Sequence, residues 1–139
     1  MRELSPDHDG LDPDLRLPAA TFAEWSAIFQ NVLVNAVNAT IDSKRKRISV
    51  SSRSRGSEQA ILVQDTGVGV DLNSAEELFQ PFVRKLKISK EREALGLGGT
   101  GLGLAIVRMI AEGRNCRVGF IKPDSGFATA FRLTWSERA

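Results

Sequence analysis

The chain has 139 residues, 42% of them hydrophobic, and a formal net charge of +2, so it can bury a core of its own; nothing in it marks a repeat or an internal boundary. A single cysteine excludes an internal disulfide, and no apolar run is long enough to span a membrane. Residues 1–10 lack the charged-then-apolar pattern of a signal peptide, and a reducing cytoplasmic setting is the expectation.

Residues 1–20 carry Asp7, His8, Asp9, Asp12 and Asp14 among Pro6, Gly10 and Pro13, which reads as an irregular N-terminal segment. The spacing lacks the closing glutamate of a calcium loop. The folded unit is expected over 21–139. It opens with Thr21 and Glu24, a T-x-x-E capping box just after Pro18, followed by Phe22, Trp25, Phe29, Val32, Leu33 and Ala36 at helical spacing. That stripe predicts a helix facing the core. Asn31, Asn35 and Asn38 follow at intervals of four and three, which predicts a polar seam on nearly the opposite face. A solvated face is the plain reading of such a seam. Three amides between apolar neighbours also suit a site that uses amide oxygens, such as the shell of a magnesium ion that keeps most of its waters and its phosphate ligands.

Strands are predicted near 47–52 and 59–64. The second runs into Asp65 within DTGVGV, so a carboxylate stands where a strand ends and the backbone opens. D-T-G is a turn signal by itself; a buried aspartate there must also find donors, and the exocyclic amine of adenine is one. A short helix is predicted over 74–79. Residues 83–100 form a segment rich in charge, with Arg84, Lys85, Lys87, Lys90 and Arg92 able to reach phosphate oxygens, and with only Leu86, Ile88, Leu95 and Leu97 to bury between 84 and 97. It is expected to open at low cost. No aromatic residues interleave with these charges, which argues against a nucleic-acid partner.

Gly96, Gly98, Gly99, Gly101 and Gly103 then lead into a helix predicted over 101–112 and stopped by Gly113. Glycines let backbone N–H groups approach an oxyanion at the positive end of a helix dipole, although glycine-rich turns also cap helices for structural reasons. Strands near 117–122 and 127–135, joined by the turn signal KPDSG, complete the chain, and Cys116 is expected to be a buried structural thiol. The implied fold class is α/β (α+β), a two-layer sandwich with a mixed sheet and its helices on one face.

The order of these segments resembles the ATP-binding domain of sensor histidine kinases, within the Bergerat-fold superfamily of gyrase, heat-shock chaperone, histidine kinase and mismatch-repair ATPases. FQNVLVNAVNAT at 29–40 is similar to the asparagine box, DTGVGV and GGTGLGLAIV to the two glycine boxes, LFQPFVRK at 78–85 to the phenylalanine box, and GFATAFRL at 126–133 to the closing strand. The likeness covers roughly residues 21–134.

The resemblance implies ATP and Mg2+ as ligands. It assigns Asn35 to the metal, Asn31 to a catalytic place near the γ-phosphate, and Asp65 to the adenine amine. Gly67 and Gly69 become the glycines that leave room for the base, with Thr129 near it. Gly99, Gly101 and Gly103, with Thr100 and Leu102 between them, fall on the phosphate side. Asn38 completes the asparagine seam, residues 83–100 become a lid over the ATP with Lys85 as its candidate cation, and Phe79 and Phe82 anchor that lid. The family often has a basic residue and then an aromatic after N-A-x, where this chain has Asn38 and Ala39. The acceptor histidine is absent from the likeness: His8, the sole histidine, lies in PDHDG, unlike the helical acceptor segment. The implied function is therefore donation of the γ-phosphoryl group to a histidine-containing dimerisation domain, in cis or in trans, upstream of a response regulator. A stand-alone serine kinase of the anti-sigma-factor type, an ATPase clamp and a non-catalytic ATP-binding module are the alternatives. The first two usually carry a glutamate where Asn31 stands, and a hydrolase needs that carboxylate as general base.

Overall fold

A computed structural model describes residues 6–81 and 103–137. The elements in chain order are β1 (Pro6–Gly10), α1 (Phe22–Thr40), β2 (Ile48–Arg55), β3 (Glu58–Asp65), a 3-10 helix (Ala75–Phe79), α2 (Gly103–Gly113), β4 (Arg117–Ile121) and β5 (Thr129–Ser136). The sheet order is β1-β2-β3-β5-β4, with β1 parallel to β2 and every other pair antiparallel. The mixed sheet is as expected. The N-terminal segment is not irregular throughout: PDHDG forms an edge strand, with a register shift between Asp7 and Gly10. Proline is tolerated at the first position of an edge strand, where its missing N–H breaks no ladder.

Alternation along the strands decides which face is covered. Ile61 and Val63 of β3 pair across the ladder with Leu133 and Phe131 of β5, and these four join Ile28, Val32 and Ala36 of α1 and Leu104, Val107 and Ala111 of α2 in one core cluster. Both long helices thus lie on one face of the sheet. Ile28 and Leu133 are fully buried, and burial of such side chains contributes about 1.5–3 kcal/mol each. On the other face buried Gln64 accepts from the Asp124 backbone N–H at 2.8 Å and donates to the Asp124 carboxylate at 3.0 Å. Arg53 pairs with the same carboxylate. The turn between β4 and β5 is therefore fixed to the sheet.

The capping box forms as predicted, with Glu24 N–H donating to Thr21 Oγ1 at 3.1 Å and Thr21 N–H to Glu24 Oε1 at 3.0 Å. The apolar stripe of α1 is rotated from the expected one. Its buried line runs through Ile28, Val32, Ala36, Ala39 and Thr40, while Phe22 is 88% exposed at the first helical position. Because of this rotation Asn31, Asn35 and Asn38 border the buried face and are all half-buried, not nearly opposite to it. At the end of α2, Gly113 is the last helical residue, and Asn115 takes the left-handed conformation, φ 60°. Cys116 N–H closes that turn on the Ala111 carbonyl at 2.9 Å. The Cys116 thiol is buried and its pKa is pushed up by burial, in keeping with a structural role.

Candidate functional site

Asp65 is the last residue of β3 and is 4% exposed. It pairs across the ladder with Thr129, the first residue of β5, so both side chains leave the same face of the sheet at the same edge. Gly67 N–H donates to Asp65 Oδ1 at 2.9 Å. Burial raises the carboxyl pKa to about 6; the Gly67 N–H and the nearby Thr129 hydroxyl pull the other way. Thr129 is itself buried, and its hydroxyl, though near enough to Asp65 to favour the ionised carboxyl, completes a hydrogen bond of good geometry with no described residue. A buried carboxylate with spare acceptor capacity beside an unsatisfied hydroxyl is a costly arrangement without a ligand. A flat heterocycle that offers an amino donor would satisfy both.

The D-T-G-V-G turn folds back onto the C-terminal end of α1. Val68 N–H donates to the Ala39 carbonyl at 3.2 Å, and a methyl group on Gly67 would collide with that same carbonyl. Gly67 is thus required by the helix that docks against it. Gly69 has φ +81°, the left-handed region that favours glycine, and lies beside the Ala128 carbonyl. Thr66 pins the other side of the turn: its hydroxyl donates to the Arg45 carbonyl at 2.6 Å and accepts from Arg47 N–H at 2.9 Å. The sequence marks Ala39 only as a departure from the family pattern; its role in seating the turn escaped because it is played by a main-chain oxygen, to which the side-chain type gives no clue.

Asn31 stands about two helical turns before Ala39, which is roughly 12 Å along the axis of α1. Its Nδ2 donates to the Ala27 carbonyl at 2.6 Å, and its Oδ1 lies against Gly103, where an added Cβ would come within 2.9 Å of it. The start of α2 therefore meets the asparagine seam. Asn35, between the two ends, is half-buried. Neutral amide oxygens on one helix flank suit a hard cation that is also held by phosphates and water. The structure thus gathers Asp65, Gly67, Gly69 and Thr129 near the C-terminal end of α1 and sets Gly103 beside Asn31 farther back on the same helix, with Asn35 and Asn38 on the helix between those two places. Lys85, Gly99, Thr100, Gly101, Leu102 and Phe82 lie outside the described residues. Phe79 is buried at 4% exposure, against Phe120 with ring centroids 5.6 Å apart.

The profile of the histidine kinase-, DNA gyrase B-, and HSP90-like ATPase family matches residues 24–138. Among curated proteins, the sensor protein kinase WalK of Staphylococcus saprophyticus is 32% identical over 108 residues, 78% of this chain and 16% of that protein. WalK of Staphylococcus aureus is 33% identical over 95 residues, 68% of this chain and 22% of that protein. The chain thus spans less than a quarter of the length of either relative. Among solved structures, full-length ShkA in complex with AMPPNP has a TM-score of 0.69 at 22% identity, covering 96% of this chain and 26% of that one. The catalytic domain of the histidine kinase ThkA has a TM-score of 0.68 at 22% identity, covering 95% and 76%. These likenesses extend the agreement in fold to nearly the whole chain.

Proposed function

The chain belongs to the histidine kinase-, DNA gyrase B-, and HSP90-like ATPase family, as an ATP-binding domain of the sensor histidine kinase kind, and we propose that it binds Mg·ATP and donates the γ-phosphoryl group to a histidine on a separate dimerisation domain. The observation that carries this reading is the pairing of a buried carboxyl, Asp65, with the buried, unsatisfied hydroxyl of Thr129. Adenine offers that pair an amino donor and a ring edge. The triphosphate would then run along α1 toward Asn31 and the first turn of α2, whose free N–H groups favour negative charge.

In the transfer, the bond from the γ-phosphorus to the β,γ-bridging oxygen breaks, a bond to an imidazole nitrogen forms, ADP leaves, and the imidazole gives up its proton. The chain's task is positioning and charge neutralisation. Asn35 would help hold Mg2+, which neutralises phosphate charge. Asn31 would sit beside the γ-phosphate as a neutral amide, which cannot take a proton from water, so the bound nucleotide is kept for transfer and not hydrolysed. Lys85, Gly99, Thr100, Gly101 and Leu102 enter this reading by resemblance alone. Asn38 departs from the family pattern and is assigned to the nucleotide as a member of the asparagine seam, where it is half-buried. A response regulator is the downstream partner in this scheme and the cytoplasm its setting; among the described residues no helix is long and apolar enough to cross a membrane.

The test is calorimetry followed by labelling. Asp65→Asn should weaken ATP at least tenfold, about 1.4 kcal/mol, and the unmutated protein should prefer ATP to GTP. Equal affinity in the folded variant, or indifference between the two nucleotides, defeats the adenine assignment. With labelled ATP, a histidine-bearing dimerisation domain should gain acid-labile, base-stable phosphate. Label on a serine or threonine would favour a kinase of the anti-sigma type.

A further inference from the structure

Helix α2 is held from two sides by two arginines. Arg114 follows its last turn and pairs with Glu24 in the first turn of α1. Arg108, one turn after Leu104, reaches the opposite way to the 3-10 helix. Its guanidinium lies over the Phe79 ring at 4.1 Å from the centroid, its Nη2 donates to Glu76 Oε2 at 2.5 Å, and its Nε is 3.8 Å from Glu112. Phe79 is a fixed platform, since it is buried and packs on Phe120, which in turn packs on Phe131 of β5. Arg108 thereby ties α2 to a rigid stack of aromatic rings that ends in the sheet.

The other end of α2 is Gly103, pressed against Asn31 Oδ1. That junction leaves no room for a side chain on α2, since a Cβ at Gly103 would lie 2.9 Å from Asn31 Oδ1, so the setting of α2 against α1 fixes how closely the two meet. We propose that Arg108 is a positioning residue, which through Phe79 and Glu76 sets the first turn of α2 against Asn31 and so fixes the phosphate end of the site, without touching the nucleotide. This rests on the ATP-binding reading above. A guanidinium suits the task because it stacks flat on a ring while its edge N–H groups remain free for a carboxylate. Lysine can pair with Glu76 but cannot stack in that way.

The adenine end is built from β3, β5 and the C-terminal part of α1, none of which Arg108 contacts in these interactions, and this separates the outcomes. Binding of Mg·ATP and of adenosine is measured by calorimetry for the unmutated chain, Arg108→Ala, Arg108→Lys and Glu76→Gln. Arg108→Ala should weaken Mg·ATP by about fivefold or more and leave adenosine unchanged. Arg108→Lys should recover part of the loss, and Glu76→Gln should show a smaller loss confined to Mg·ATP. Should Arg108→Ala fail to fold, the lysine and glutamine variants carry the same requirement. Equal losses for both ligands, or none for either, overturn the positioning role alone. Failure of the unmutated chain to bind Mg·ATP, or adenosine binding indifferent to Asp65→Asn, overturns the ATP-binding reading and this inference with it.

Discussion

At Gly67 a glycine that the family likeness would give to the ligand is also demanded by the protein. An alanine there would drive its methyl into the carbonyl and Cβ of Ala39, neither of which is a flexible group that can yield. Gly67→Ala should therefore destabilise the domain by about 2 kcal/mol or more, toward the upper end for overpacking, as read from urea denaturation. Alanine at Gly113, where an added methyl would meet nothing within 4 Å, should by contrast be neutral or slightly stabilising. A Gly67→Ala protein as stable as the parent would show that the turn is not seated on α1. The residues in this part of the molecule were readable to different degrees. Asp65 stood out because a carboxylate ends an apolar strand, and its burial and pairing with Thr129 agree with that reading. The asparagine seam was recognised but set too far from the core, because the stripe was drawn without Ile28 and Ala39, which are buried and lie on the asparagine side of it. A phenylalanine at the first helical position has no preceding turn to fold against, and here it points to solvent.

Among the elements, α1 was the best defined by sequence, since its start is written in side chains that bond to each other. Thr21→Ala removes the acceptor for Glu24 N–H and should cost about 1 kcal/mol, whereas Thr21→Ser should keep most of the stability; denaturant midpoints measured on the two variants decide it. Glu24 should keep its second partner in both variants, because its carboxylate accepts from the backbone N–H of residue 21, which alanine retains, as well as from Arg114. That second duty of Glu24 was invisible in the sequence: ninety residues separate the partners, and only the packing of α1 on α2 brings them together. β1 was missed for a related reason. A parallel edge strand needs main-chain partners on one side only, so PDHDG has neither the alternation nor the β-branched residues that mark an interior strand. The pair β4 and β5 was readable from its turn signal, yet what holds that turn, Asp124 on Gln64, joins residues sixty apart.

The whole molecule carries two opposed responses to pH. Glu24 has its pKa lowered to about 2, chiefly by its hydrogen bond with Arg114, so its contribution is present above the ordinary glutamate value of 4.5 and is lost as pH falls through 2. Asp124, held low chiefly by Gln64 and also by Arg53, acts in the same direction. Asp65 is the reverse case: its folded pKa of about 6 lies above the ordinary value of 3.8, so the folded state takes up a proton more readily than the unfolded one. That stabilisation is complete below 3.8 and is lost as pH rises through 6, by no more than roughly 3 kcal/mol. Without nucleotide, stability should therefore peak near pH 4–5 and decline toward neutrality, and Asp65→Asn should flatten that decline while leaving the acid limb in place. Mg·ATP should act against the slope, because the ionised carboxylate is the better acceptor for the adenine amine: the gain in melting temperature from nucleotide should grow between pH 5 and 7 in the parent and much less in the variant. Melting curves across this range, with and without Mg·ATP, are the measurement. A nucleotide-induced gain with the same pH dependence in both proteins would remove Asp65 from the binding site and leave its raised pKa as a feature of burial alone.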